Sequence, residues 1–257
     1  MGWTSAIYNP NLVEHPRMTH TGQYSVTRLK RELRDLADPA TRASQQRFSK
    51  EPLRSIGVRT PDVRRLAGAA ATEYRRAGST FDQVLAIADR LWRSGILEER
   101  SLAIFLLSSF KRHLDRSHWP HFDAYIDSLS NWGETDGLCG YVLAPLLEID
   151  PALIARLTPW TRSPNRWRRR AAAVALVPAV RHGHHHDFAC QICDRLAEDR
   201  DDLVEKAVGW LLKEISRTQP QKVVDYLLQN RQRLSRTTLR YAAEKLPATL
   251  RARALSA

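Results

Sequence analysis

Cysteine is scarce in this chain: Cys139, Cys190 and Cys193 are the only ones in 257 residues. Three thiols so unevenly placed cannot build a disulfide framework, and a reducing, cytoplasmic location is expected. Long hydrophobic runs are missing as well, since no stretch approaches the roughly 18 apolar residues of a membrane span. The opening residues, MGWTSAIYNP, lack the charged and then apolar build of a secretory signal, and Ala6 stands where a myristoylation motif needs Ser or Thr. There is no Walker loop, no dinucleotide fingerprint and no Gly-x-Ser-x-Gly elbow, so no nucleotide cofactor is expected. Strand-type alternation and an interior Pro/Gly/Ser-rich linker are absent too, which points to one soluble domain without a sheet.

Negative charge is also in short supply. Against 28 Asp+Glu stand 40 Lys+Arg, a formal net charge of +12. The pI near 10.1 favours a polyanionic partner, nucleic acid ahead of an acidic membrane surface. Hydrophobic residues make up 43% of the chain, ample for a buried core. Their spacing predicts helices over 25–37, 39–49, 60–77, 80–94, 96–113, 118–130, 134–148, 151–161, 164–181, 184–198, 201–217, 219–230 and 235–246. Thr60-Pro61, Asp150-Pro151 and Ser163-Pro164 each set a small polar cap before a proline suited to a first helical turn. The helices recur as pairs at roughly 35–40 residues, the range of helical repeat proteins. The expected fold is all-α, a curved solenoid of HEAT-like antiparallel helix pairs, with a compact irregular bundle as the alternative. Residues 23–250 read as a single domain, after an irregular lead-in over 1–22 and before a C-terminal tail over 251–257.

Three stretches carry chemistry. In SPNRWRRRAAAVALV (163–177), Trp167, Ala171, Val174 and Pro178 form a core stripe, and Arg166, Arg169 and Arg170 lie beside it at i, i+3 and i+4. Cations at a helix start are unfavourable unless an anion sits opposite, and each guanidinium can fork onto a phosphate. The alternative is a charged face paired with acids from another repeat. In DDLVEKAVGWLLKEISRTQP, Val204, Val208, Leu211 and Ile215 share one face while Lys206, Trp210, Lys213 and Arg217 share the opposite one. An indole amid cations suits contact with nucleic acid, or simply packs against the next repeat. In SNWGETDGLCGYVLAPLL, Asp136 interrupts an apolar face with Trp132, Cys139, Leu143 and Leu146. A buried carboxylate is costly unless it has a purpose, although Asp136 also fits a helix's first turn, where negative charge is welcome. The tract HGHHHDFACQIC brings His182, His184, His185 and His186 before Cys190 and Cys193, but not in zinc-finger order, and no metal site is expected.

Taken in order, GVRTPDVRRLA, Trp132 with Asp136 four residues on, NRWRRRAA and EKAVGWLLKE resemble the DNA alkylation repair family, DNA glycosylases built from HEAT-like repeats. The resemblance spans 55–246. It implies a concave basic face that holds double-stranded DNA and excises purines alkylated at N3 or N7 in a base-excision repair step, with no cofactor and no enclosing base pocket. On it, Trp132 and Trp210 match the active-site tryptophans, Asp136 the catalytic aspartate, and Arg170 an arginine that contacts DNA near the lesion. Lys213 departs from the usual arginine and so lacks the bidentate fork. A monomer is expected. The competing classes are a non-catalytic DNA-binding repeat protein and a protein-interaction scaffold, because fold alone does not decide function.

Overall fold

The computed structural model describes residues 25–256, and the lead-in expected over 1–22 lies outside them. Among the described residues there is no strand, and every regular element is helical. The first half runs as α1 (Val26–Asp35), α2 (Pro39–Arg47), α3 (Thr60–Arg76), α4 (Phe81–Trp92), α5 (Leu97–Ser109), α6 (Trp119–Asp127), α7 (Trp132–Leu138) and α8 (Ala144–Ile149). After two 3-10 turns, Pro151–Leu157 and Pro159–Arg162, come α9 (Arg166–Val174), α10 (Val177–Arg181), α11 (His186–Leu196), α12 (Asp202–Ile215), α13 (Pro220–Gln229), α14 (Arg236–Ala242) and α15 (Ala248–Leu255).

Alternate helices stack on one another: α3 on α5, α5 on α7, α7 on α9, α9 on α12 and α12 on α14. The helices between them cover the outer side, with α4 on α5, α6 on α9, α11 on α12 and α13 on α15. This two-layered stack is the solenoid that the repeat spacing predicts. It is held by one continuous core running from Val26 to Ala254. The inner layer matters for function because α7, α9 and α12 carry all three stretches singled out above.

Local chemistry explains where the elements depart from expectation. Helix α7 starts at Trp132 rather than residue 134, because the Asn131 side chain accepts the Glu134 N–H and caps it. The helix expected as one piece to 148 passes through a π turn, Cys139–Leu143, in which the Ala144 N–H bonds to the Cys139 carbonyl. Pro145 has no N–H to offer the Tyr141 carbonyl, so the ladder shifts by one residue there. Of the three expected polar caps, only Asp150 caps with its side chain, and a 3-10 turn follows it. Arg59 rather than Thr60 caps α3, without a side-chain bond. Asn165, not Ser163, caps α9 by accepting the Trp167 N–H. The stretch expected as a tail from 251 is instead the end of α15, whose buried Ala254 and neighbouring Leu255 accept hydrogen bonds from Arg231.

Candidate active site

Asp136 lies on α7 one turn past Trp132, where the 3.6-residue period turns both toward the same side. Its side chain is 21% exposed, and both oxygens are bound by Arg170 of α9, Nε to Oδ1 at 2.9 Å and Nη2 to Oδ2 at 2.8 Å. The third arm of that guanidinium, Nη1, donates to the Leu203 carbonyl at 2.6 Å. Arg170 is therefore buried behind the carboxylate, each of its three nitrogens donating one bond, and it also lines the neighbouring cleft. Burial pushes the Asp136 carboxyl above its ordinary pKa, and Arg170 offsets this only in part by charge and hydrogen bonding.

Two clefts meet at this point. A larger one of about 660 Å³ is lined by Asp136, Trp132, Trp210, Tyr141 and Phe105. A smaller one of about 450 Å³ is lined by Trp132, Trp210, Arg166, Arg170, Lys206, Lys213 and Tyr241. Trp132 and Trp210 belong to both, so the indoles stand on the rim between a mainly apolar hollow holding the carboxylate and a basic one. Trp132 is 42% exposed, and its indole N–H donates to the Phe48 carbonyl at 3.2 Å. Trp210 is half-buried against the core and donates to Glu214 Oε1 at 3.2 Å. Trp210 packs on the core, as one of the two readings had it, and it also lines the cleft.

Glu214 anchors that indole. It is buried, and Arg181 and Arg217 bind its other oxygen at 3.0 and 2.7 Å. Burial opposes its ionisation, yet hydrogen bonds and charge from Arg181, the Trp210 N–H and Arg217 hold its carboxyl below the usual range. Glu214 ends the EKAVGWLLKE motif four residues after Trp210, so helical spacing could have found it. Phe48 and Tyr241 also line the basic cleft and had no such signal, being remote from the tryptophans in sequence.

The arginines of α9 correct an expectation. They do not form a free cluster: Arg166 pairs with Glu51 and Asp201, Arg168 with Asp123 and Asp127, Arg169 with Asp199, and Arg170 with Asp136. Acids are scarce in the local sequence, but neighbouring repeats supply them, which was the alternative reading. Arg169 turns away from the cleft to bind Asp199 at 2.6 Å and the Ser163 and Pro164 carbonyls. Arg217 lies two residues past the end of α12 and turns back on Glu214, and it too lines neither cleft. Arg166, Lys206 and Lys213 do line the basic cleft. Lys206 lies 3.5 Å from Asp202, and Lys213 3.2 Å from Glu244.

The histidine tract lies elsewhere. His186 contacts the Val180 carbonyl, Cys193 is buried in the core and Cys190 is half-buried. Among the described residues no three His, Cys, Asp or Glu side chains gather as a metal site, and no helix is long and apolar enough to cross a membrane.

Comparison with known proteins agrees with this architecture. A solved structure described as a predicted DNA alkylation repair enzyme from Enterococcus faecalis superposes with a TM-score of 0.73 at 17% identity, covering 82% of this chain and 97% of that one. At that identity the likeness shows the fold alone. No curated protein matches the chain. The sequence profile of the DNA alkylation repair enzymes matches residues 29–246, which takes in α7, α9, α12 and the whole basic cleft, and the chain belongs to that family.

Proposed function

We propose that the protein is a monofunctional DNA glycosylase that removes cationic N3- or N7-alkylated purines from duplex DNA. The observation that carries this reading is the carboxylate of Asp136, partly exposed at the meeting of the two tryptophan-rimmed clefts and backed by Arg170.

An N3- or N7-alkylated purine already bears positive charge. When the N-glycosidic bond breaks, its electron pair passes to the base and neutralises that charge, so no general acid is required. What remains is a cationic deoxyribose. Asp136 stabilises it electrostatically and orients the water whose oxygen bonds to the sugar carbon, the water's proton leaving to the carboxylate or to solvent. The indole faces of Trp132 and Trp210 attract the same developing charge. Arg170 keeps the carboxylate aimed and favours its ionised form, so its service is to Asp136 and not to a phosphate. The scheme has no step that draws on a Lewis acid.

The duplex backbone is held by Arg166, Lys206 and Lys213. Their partners in the free protein are part-exposed carboxylates, and such pairs contribute only about 0–1 kcal/mol. Phosphates can replace them without a large penalty.

The test is single-turnover release of 7-methylguanine from a duplex carrying one such base. Asp136→Asn should lower the rate roughly 10²-fold or more. The new amide group faces Arg170 and lowers the melting temperature too, so the rates are compared where both proteins are fully folded. Equal rates would sink the catalytic role of Asp136. A wild-type protein that binds duplex DNA but releases no base would favour the non-catalytic class instead.

A further inference from the structure

The seam between α12 and α14 presents a tyrosine that the scheme above does not use. The Ser235 hydroxyl caps α14 by accepting the Thr238 N–H at 3.1 Å, and the Thr238 hydroxyl donates to the Glu205 carbonyl of α12 at 3.1 Å. These bonds lock α14 onto α12 and bring Tyr241, three residues on, over Gly209. A Cβ at Gly209 would lie 2.5 Å from Tyr241 Cβ and 3.0 Å from the Thr238 carbonyl oxygen, so only glycine lets the two helices approach this closely. The root of Tyr241 is thereby pinned beside Trp210, while the side chain stays 37% exposed and lines the basic cleft with Lys206 and Lys213. The Lys213 ammonium stands 5.9 Å from the ring centroid, over one face, and that face is not open for a base to stack on. Among the described residues the Tyr241 hydroxyl has no hydrogen-bond partner.

We infer that Tyr241 is a DNA-contact residue whose hydroxyl donates to a backbone phosphate seated between Lys206 and Lys213. The subsite is built jointly by α12 and α14, and its ligand is a phosphodiester of duplex DNA. The inference rests on the DNA-binding half of the proposed function and not on its chemistry. Tyrosine hydroxyls are among the side-chain donors that fix a protein's register on a duplex without reading its sequence. A neutral donor also adds a directed bond where Lys213, a point charge, supplies attraction without a fixed geometry. Asp202 and Glu244 face the same two lysines, and both are exposed enough to turn aside when a phosphate arrives.

The experiment is binding of Tyr241→Phe to an undamaged duplex over a range of salt concentrations, with Lys213→Met in parallel. The phenylalanine keeps the ring and its packing on Gly209, so melting should not change. Its affinity should fall roughly tenfold at every salt concentration, the scale of one hydrogen bond to a charged group. The slope of log K against log salt should match the wild type, because no cation has been removed, whereas Lys213→Met should flatten it by about 0.9. Tyr241→Phe affinity equal to wild type would overturn the inference. So would a flattened slope or a lowered melting temperature, which would mean that the residue acts through Lys213 or the fold. A wild type that binds the duplex yet releases no base removes the glycosylase reading alone, and one that does not bind duplex removes both.

Discussion

Asp136 is bound on both oxygens by Arg170, and its pKa is nevertheless raised, because burial outweighs the partner. The consequence for pH has a definite sign. A carboxyl whose folded pKa lies above its unfolded one favours the folded state at low pH, and that contribution is lost as pH rises through the folded value. The proposed reaction uses the ionised form and therefore runs the other way: base release should climb as pH passes the raised pKa of Asp136. Among the described residues, Arg170 is the one group that opposes the upward shift, and Arg170→Met removes it. The acidic limb of the single-turnover pH profile should then move to higher pH, with a lower plateau because the carboxylate is no longer aimed. A limb that stays in place with normal affinity would show that Arg170 does not tune this carboxyl. Residue type and spacing were enough to mark Asp136, Trp132 and Trp210, since all three project from two helices at helical period. The buried pairing was not legible, because Asp136 and Arg170 are 34 residues apart and meet only through the packing of α7 on α9.

Among the helices, the contact of α12 with α14 is the one most exposed to a single substitution. Gly209→Ala would set a methyl group within van der Waals overlap of Tyr241 and the Thr238 carbonyl, and the carbonyl belongs to backbone that cannot swing away. Overpacking of this kind costs about 1–3 kcal/mol, readable as a lower denaturant midpoint with an unchanged m-value. Duplex affinity should fall with it, since the displaced helix carries one wall of the basic cleft. Full stability in Gly209→Ala would mean that α14 rides less tightly on α12 than the geometry requires. The glycine was visible in the EKAVGWLLKE motif, but its reason was not, because its neighbours come from a helix some thirty residues on. The π turn in the α7–α8 segment is the opposite case: Pro145 stands in the sequence, and its missing N–H accounts for the shift.

Across the whole molecule, one short segment ties together the three inner helices α7, α9 and α12. The stretch that follows α2 places the Phe48 carbonyl on Trp132, Lys50 on Asp202 at 2.5 Å and Glu51 on Arg166. Glu51 thus competes with phosphate for one of the cations of the basic cleft. Glu51→Gln should tighten binding to an undamaged duplex severalfold at low salt and steepen its salt dependence, because Arg166 no longer has to exchange a carboxylate for the phosphate it holds. The difference should vanish at high salt, where exposed pairs are screened. Equal affinities at low salt would mean that Arg166 stays out of the interface. The excess of basic residues that first pointed to a polyanion is a property of the whole chain, and it says nothing about which cations are already neutralised by acids.

The all-α class, the paired-helix repeat and the apolar inner stripes of α7, α9 and α12 follow from the sequence alone, because hydrophobic period records which side of a helix faces its own core. The expected roles of Asp136, Trp132 and Trp210 came from the family resemblance. Only the tertiary structure decided which charges are available. Asp199 and Asp201 reach the arginines of α9 from beyond α11, and Glu51 reaches Arg166 from 115 residues away. As a result Arg169 leaves the cleft, and Arg170, which lines it, also holds both oxygens of Asp136. Residues 251–255 show the same limit: the end of α15 is held by packing on α13 and by the Arg231 bonds to its last turn. Helical period is a local property of one segment. The partner of a side chain is set by how the turns of the solenoid stack, and no spacing within a single helix encodes that.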